Sequence, residues 1–165
     1  MVTTESIKEL REMTGAGIMS CKKALEEAKG DIDGALEILK RQGHAKAERK
    51  AHREAKQGLI EAYIHTGGRI GAMVEVNCES DFVAHTDEFK MLAHDLAMQV
   101  TAINPLFLSS QDAPEGVDPS EACLLAQPFI KDPQKTVQDI IAETIARVGE
   151  NIKVGRFARF ELSRE

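Results

Sequence analysis

The sequence predicts an α+β protein in which a small domain of three helices precedes a core of three antiparallel strands packed with helices. Two changes in hydrophobic period support this fold class. Up to residue 43, apolar residues recur every three or four positions, which is typical of helices. From residue 58, they alternate with polar residues on both sides of a Gly-Gly pair, which is typical of a β-hairpin.

Residues 1–43 carry the pattern of three short helices. The first spans about residues 4–13 and ends at "TGAG", whose two glycines permit backbone angles that other residues avoid. The second begins near Ile18 and stops at Gly30. Asp31 is a suitable N-cap for the third helix, which the sequence predicts to end before Gly43.

Residues 44–57, "HAKAERKAHREAKQ", differ in composition from both neighbouring regions. They contain five Lys or Arg and two Glu, and their only apolar residues are alanines. The segment favours a helix but has no face to bury, which indicates a solvated basic helical linker. Contact with RNA is the alternative, and the net charge of −6 for the whole chain argues against a nucleic-acid partner.

Residues 58–165 form the predicted α+β core. "GLIEAYIH" and "RIGAMVEVN" flank "TGG" as the two strands of a hairpin. The apolar stripes in "TDEFKMLAHDLAMQV" and "TVQDIIAETIARVGE" predict two helices, and the second opens with a capping box made by Thr136 and Asp139. The final strand, "NIKVGRFARFEL", loses its alternation at Gly155, which predicts a bulge.

The sequence contains no recognisable catalytic, phosphate-binding or metal-binding motif. "GAGIMSCKK" lacks the spacing of a phosphate-binding loop, and His85 and His94 are too far apart for the usual zinc motifs. Three cysteines without a Cys-x-x-Cys pair fit reduced thiols in a cytoplasm, and no apolar run is long enough for a membrane span. We therefore expect a cytoplasmic protein that is not an enzyme and that binds no metal, cofactor or nucleotide directly.

Two apolar side chains stand out because their surroundings are polar. In "CESDFVAHTDEF", Phe82 lies in an acidic connection between a strand and a helix. It either packs onto the following helix as a hydrophobic staple, against Phe89, or it is exposed for a partner; composition alone favours the staple. Met19 likewise is either a core residue or a contact residue, and periodicity alone leaves both alternatives open.

Three segments of the sequence resemble motifs of the elongation factor Ts family, in the family's order and over nearly the whole chain. They are "IKELREMTGAGIMSCKKALEEAKGDIDGALEILKRQG", "VEVNCESDFVAHTDEF" and "GENIKVGRFARFEL". The resemblance implies a translation factor that exchanges guanine nucleotide on elongation factor Tu and binds both its GDP-bound and nucleotide-free forms. It also implies a ubiquitin-associated-like fold for residues 1–43, a linker at 44–57 and a core and dimerisation domain at 58–165.

By the same resemblance, two regions contact the partner. In the N-terminal domain the matching positions are Lys8, Arg11, Ile18, Met19 and Lys22. The second region, here called the signature loop (residues 80–83), disturbs magnesium and phosphate coordination in the family and comprises Ser80, Asp81, Phe82 and Val83. On this hypothesis Phe82 is an apolar wedge that enters the partner.

The chain departs from the family pattern in four respects. Ser80 replaces the threonine of the Thr-Asp-Phe-Val signature, Ile18-Met19 replaces Met-Met, and Gly155 stands where arginine is frequent. The chain also resembles the short form of the family, with one core subdomain, so we expect a homodimer paired through "NPLFL" and "IKVGRFARFEL". The alternative to an exchange factor is a ubiquitin-associated-type binding module in which residues 1–43 carry all partner binding.

Overall fold

The computed structural model describes residues 1–163, and its mixture of N-terminal helices and an antiparallel sheet confirms the predicted α+β class. The helical part contains α1 (Thr4–Thr14), α2 (Ile18–Glu27) and α3 (Ile32–Lys50). The remaining elements are β1 (Gln57–Ile64), β2 (Ile70–Cys78), α4 (Asp81–Ala84), α5 (Asp87–Ile103), α6 (Pro119–Ala122), β3 (Pro128–Phe129), β4 (Asp132–Thr136), α7 (Val137–Val148) and β5 (Ile152–Glu161).

Side-chain caps begin α1 and α3, and a glycine ends α1. Thr3 Oγ1 accepts a hydrogen bond from the Ser6 N–H at 3.1 Å, and Asp31 Oδ2 accepts one from the Gly34 N–H at 2.7 Å. Gly15 closes α1 with φ of 65°, an angle that favours glycine. The three helices enclose a small core of Leu10, Cys21, Ala24, Leu25, Ala35 and Ile38.

The prediction that the third helix ends before Gly43 was wrong, because α3 continues to Lys50. Gly43 is buried, and a Cβ atom there would lie 3.8 Å from the Ala142 carbonyl oxygen of α7. That distance is an ordinary van der Waals contact, so Gly43 lies inside a helix that packs on α7, and this packing outweighs the local preference of glycine to end a helix. Ala47, one turn further on, packs against the core, so the stretch predicted to be fully solvated is partly covered.

The main sheet has the strand order β1-β2-β5 and is antiparallel throughout. The predicted hairpin turn is confirmed, with φ of 94° at Gly67 and 69° at Gly68. The predicted bulge is confirmed as well, since Glu75 pairs with Arg156 and Val76 with Val154, which leaves Gly155 without a partner across β2. The short β3-β4 pair was not predicted, because β3 has only two residues and the five residues of β4, DPQKT, do not alternate between apolar and polar.

One face of the main sheet packs against α5 and α7 and forms the larger core. Every member of the predicted α5 stripe is buried, namely Phe89, Leu92, Ala93, Leu96, Ala97 and Val100. The other face exposes apolar side chains of all three strands, including Ile60, Ile64, Met73 and Phe160. Among residues 1–163, no helix combines the length and apolar character that crossing a membrane requires.

The three cysteines, Cys21, Cys78 and Cys123, are buried and free of disulfides. Burial raises the pKa of the Cys78 thiol to about 11, and the nearby Glu150 carboxylate adds to that shift. The thiol therefore remains protonated near neutral pH and behaves as a small apolar core group.

Candidate functional site

Phe82 projects from the one-turn helix α4 into solvent. Its side chain is 81 % exposed, whereas Phe89 at the start of α5 is completely buried. The staple interpretation is therefore wrong, because a stapled ring would be covered by the following helix. A large exposed aromatic ring in a polar turn is the kind of surface feature that serves a binding partner.

The signature loop is held at both of its ends by hydrogen bonds. Ser80 caps α4, with its Oγ accepting from the Val83 N–H at 3.3 Å. The same hydroxyl donates to Glu150 Oε2 at 2.6 Å, and the Ser80 N–H donates to Glu150 Oε1 at 3.0 Å. At the far end, Thr86 Oγ1 donates to the Val83 carbonyl at 2.7 Å. The turn is thus ordered before binding, which lowers the entropic cost of using Phe82 as a contact.

The four predicted residues of this loop occupy different environments. Val83 is only 5 % exposed and lies in the larger hydrophobic core, so it anchors the turn and offers no surface to a partner. The Asp81 side chain is exposed and lies 3.4 Å from His85 Nδ1. Ser80 is half-buried against Glu150, which leaves Asp81 and Phe82 as the loop's exposed side chains.

The second predicted region surrounds the α1–α2 turn (residues 14–17). Ile18 and Met19 open helix α2 and are 55 % and 62 % exposed, while Cys21, Ala24 and Leu25 occupy the buried positions of that helix. Met19 is therefore a surface residue, and the core alternative is wrong. The predicted basic residues Lys8, Arg11 and Lys22 are also exposed.

Met13 belongs to the same surface and was missed by sequence reasoning. Its spacing from Ile7 and Leu10 placed it on the apolar stripe of α1, yet its side chain is 52 % exposed. It precedes the α1–α2 turn directly, so Met13, Ile18 and Met19 form an apolar group around one turn. Thr14 shapes that turn, since its hydroxyl donates to the Leu10 carbonyl at 2.7 Å and accepts from the Ala16 N–H at 3.2 Å.

The helical region is joined to the core through Asp139 of α7. Burial alone would raise the pKa of this carboxyl, but hydrogen bonds from the Thr136 N–H, His44 and Lys40 outweigh it and lower the pKa. The Asp139 carboxylate lies 2.6 Å from His44 Nε2 and 3.2 Å from Lys40 Nζ, both on α3. One buried carboxylate thus caps α7 and holds α3 against it.

Replacing Asp139 by asparagine should lower the free energy of unfolding by about 1–3 kcal/mol, because the cap is weakened and the link to α3 loses its charge. Because the pKa of Asp139 is lower in the folded state, the ionised carboxylate stabilises the fold. This stabilisation is fully present above the ordinary carboxyl pKa of 3.8 and is lost as pH falls through the lower pKa of the folded state. Urea unfolding between pH 7 and pH 3 should therefore show the two proteins converging below about pH 4. A constant difference across that range would contradict this assignment.

Candidate ligand-binding chemistry is sparse in the part of the chain that the structure describes. Within residues 1–163, no three His, Cys, Asp or Glu side chains are arranged to hold a metal ion. A cleft of about 870 Å³ separates the α1–α2 turn and α3 from α7 and β4. Its charged residues include oppositely charged neighbours such as Lys135 and Glu143, whose charged atoms are 2.9 Å apart. The exposed side chains around Met19 and Phe82 remain the strongest candidates for a functional surface.

The chain is similar to known proteins over nearly its whole length. The family model described as Elongation factor TS matches residues 3–119. The chain is 48 % identical to elongation factor Ts of Carboxydothermus hydrogenoformans over 194 aligned positions, which cover 98 % of this chain and 89 % of that protein. It is 47 % identical to the elongation factor Ts of Thermotoga neapolitana, with 99 % and 98 % covered. Both alignments are longer than this chain of 165 residues, so these relatives contain residues that it lacks. The chain therefore belongs to the elongation factor Ts family of translation elongation factors.

Proposed function

We propose that this protein is a guanine nucleotide exchange factor that acts in the cytoplasm on elongation factor Tu. The observation that carries the proposal is the exposed Phe82 ring on a turn fixed by Glu150 and Thr86. Family membership supplies the partner, and the ring supplies the means by which binding can oppose nucleotide binding. No covalent bond is made or broken by the factor, so it is not an enzyme in the usual sense.

Exchange follows from linkage between two binding events. Burying a phenylalanine side chain contributes roughly 1.5–3 kcal/mol. If that free energy stabilises a partner conformation that holds nucleotide poorly, each 1.4 kcal/mol weakens nucleotide affinity about tenfold. Displacement of groups that coordinate magnesium also weakens nucleotide affinity, because the phosphate charge is then less neutralised. The coupling is reciprocal, so incoming GTP releases the factor.

The α1–α2 turn provides the second contact, on the nucleotide domain of the partner. Ile18 and Met19 offer exposed apolar surface, and the exposed Lys8, Arg11 and Lys22 lie on the same two helices, where Lys8 and Lys22 pair with Glu12 and Glu26 at 3.9 and 3.8 Å. Apolar anchors with a charged rim are typical of protein–protein interfaces. This region supplies docking affinity, and the signature loop supplies the effect on nucleotide.

The test of this function is release of labelled GDP from elongation factor Tu. A small amount of the factor should accelerate release many times over the spontaneous rate, because each molecule acts repeatedly. A ubiquitin-associated-type binding module would bind the same partner and leave the release rate unchanged. The exposed Phe82 ring favours the exchange factor, since a module that binds only through residues 1–43 has no use for it.

We also propose that the protein is a homodimer formed through the open face of the main sheet. Ile60, Ile64, Met73 and Phe160 are all more than half exposed on that face, and Leu106 from "NPLFL" is exposed as well. The register places Met73 between Ala62 and Ala158, so small side chains surround it. A second copy would cover an apolar surface that is otherwise in water.

Replacing Met73 by glutamate should convert this dimer to a monomer, because each copy would then bury an unpaired charge in the interface. Sedimentation at concentrations on the order of tens of micromolar measures the change. Met91→Glu is the matched control, since Met91 is also a more than half exposed methionine but lies on α5 and not on the sheet. A monomeric unmodified protein, or dimers unaffected by Met73→Glu, would rule out this interface.

A further inference from the structure

The last turn of helix α7 and the residues just after it contact both candidate partner-binding regions. Arg147, in the last turn of α7, donates from Nη1 to the Thr14 carbonyl at 3.1 Å. Glu150, three residues later, receives both hydrogen bonds from Ser80. The α1–α2 turn and the signature loop, which lie far apart in sequence, are thus tied to one short stretch of the core. We refer to residues 147–151 as the α7 end.

Different nitrogens of the Arg147 guanidinium contact the α1–α2 turn and the first turn of α5. While one nitrogen bonds the Thr14 carbonyl, Nε forms an ion pair with Glu88 in the first turn of α5. Helix α5 begins just after the signature loop, and its N-cap Thr86 bonds the Val83 carbonyl. A guanidinium suits this arrangement because its donors point in several fixed directions within one plane.

The packing around Arg147 is close on the side of the α1–α2 turn. A Cβ atom at Gly15 would lie 3.2 Å from Arg147 Cδ, and Gly15 also has the positive φ that favours glycine. The arginine stem therefore rests against the backbone of the turn. This contact is separate from the packing of α3 on α7 at Gly43 and Asp139, so the helical region has two points of attachment to the core.

The remaining part of the α7 end is also fixed. Asn151 is buried; its N–H donates to Glu79 Oε1 at 2.7 Å and its Nδ2 donates to the Arg53 carbonyl at 2.8 Å. These bonds hold the segments just before the signature loop and just before β1. The α7 end is therefore a rigid base from which Arg147 and Glu150 extend.

We propose that Arg147 and Glu150 are positioning residues that hold the α1–α2 turn and the signature loop in the mutual geometry required for nucleotide exchange. This inference rests on the proposed function above. A factor that docks through Met19 must present Phe82 at the correct place on the same partner. Two contacts held in a fixed arrangement bind as one unit. If the two are joined flexibly, the second contact forms less readily, because ordering it costs entropy.

The expected signature of a positioning role is a change in the maximal exchange rate. With Arg147→Ala, the maximal GDP release rate at saturating factor should fall about threefold to tenfold, as expected for residues that couple two sites. The concentration for half-maximal stimulation should change less than about twofold, because the docking side chains of the α1–α2 turn are retained. Partial unfolding would have the opposite effect, since it reduces the active concentration and leaves the saturated rate unchanged.

Arg41→Ala is the matched control for Arg147→Ala. Arg41 forms a comparable ion pair with Glu27, at 3.4 Å, but within the helical region alone. Its loss should leave the maximal rate unchanged. An equal fall for Arg41→Ala, or an undiminished maximal rate for Arg147→Ala, would overturn the proposal.

Glu150 provides an independent test, in which one variant should lower the maximal rate and a second should restore much of it. Glu150→Ala removes both acceptors of Ser80 and should lower the maximal rate in the same way. Glu150→Gln keeps an acceptor of the same shape and should restore much of that loss. Equal maximal rates in all three proteins would contradict a positioning role for Glu150. If the unmodified protein itself failed to release GDP, the proposed function would be wrong, and that outcome is distinct from failure of the variants alone.

Discussion

Phe82→Ala is expected to lower stimulated GDP release about tenfold or more, because at least 1.4 kcal/mol of differential binding is removed with the ring. The melting temperature should hardly change. An 81 % exposed side chain contributes little to folding, and surface substitutions of this kind usually alter stability by no more than about 0.5 kcal/mol. Calorimetric melting and GDP release, measured on the same preparation, check both expectations.

The control for this variant is Asp81→Ala in the same turn. It removes an exposed charge and leaves the ring, so we expect a smaller loss of exchange than from Phe82→Ala. A Phe82→Ala protein that melts early yet exchanges normally per folded molecule would contradict the wedge hypothesis. A larger loss from Asp81→Ala would show that the charge, and not the ring, carries the effect.

The second large effect is expected from Ile18→Ala combined with Met19→Ala. Both side chains are more than half exposed, and we expect them to contribute about 1.4–2.8 kcal/mol together, so their loss should weaken affinity for the partner about tenfold to a hundredfold. The stability of the free protein should be retained, because neither residue belongs to the small core. Titration calorimetry against GDP-bound elongation factor Tu measures the change.

Point variants suit this test better than removal of residues 1–43. Helix α3 runs unbroken through Gly43, and truncation there would remove Lys40 and expose the surface of α7. Met91→Ala is the control, as an exposed methionine of α5 outside both contact regions. Unchanged affinity of the double variant would show that the N-terminal contacts implied by the family do not apply to this chain.

Local sequence signals predicted most of the fold because local interactions determine most helix and hairpin ends. Asp31, Thr136 and the Gly67-Gly68 turn each satisfy backbone groups within a few residues, so their roles can be read from neighbouring positions. Gly43 shows the limit of this approach. A glycine that ends a helix and one inside a helix look alike in sequence, and the packing of α3 on α7 that distinguishes them involves residues far apart in the chain.

The candidate site was predictable only in part. The resemblance identified the signature loop, but it could not separate exposed Phe82 from buried Val83 on adjacent positions. Composition alone favoured a staple for Phe82, because it says nothing about the direction of a side chain. Arg147 and Glu150 gave no local signal at all, since their bonds join residues 133 and 70 positions apart in the chain.

We propose that binding of this protein drives nucleotide from elongation factor Tu. The measurement loads elongation factor Tu with labelled GDP, adds a large excess of unlabelled GDP, and follows release with substoichiometric amounts of the protein. Release should accelerate in proportion to the added factor and continue until all labelled GDP has exchanged. Release at the spontaneous rate, at concentrations where calorimetry shows the two proteins bound, would contradict it.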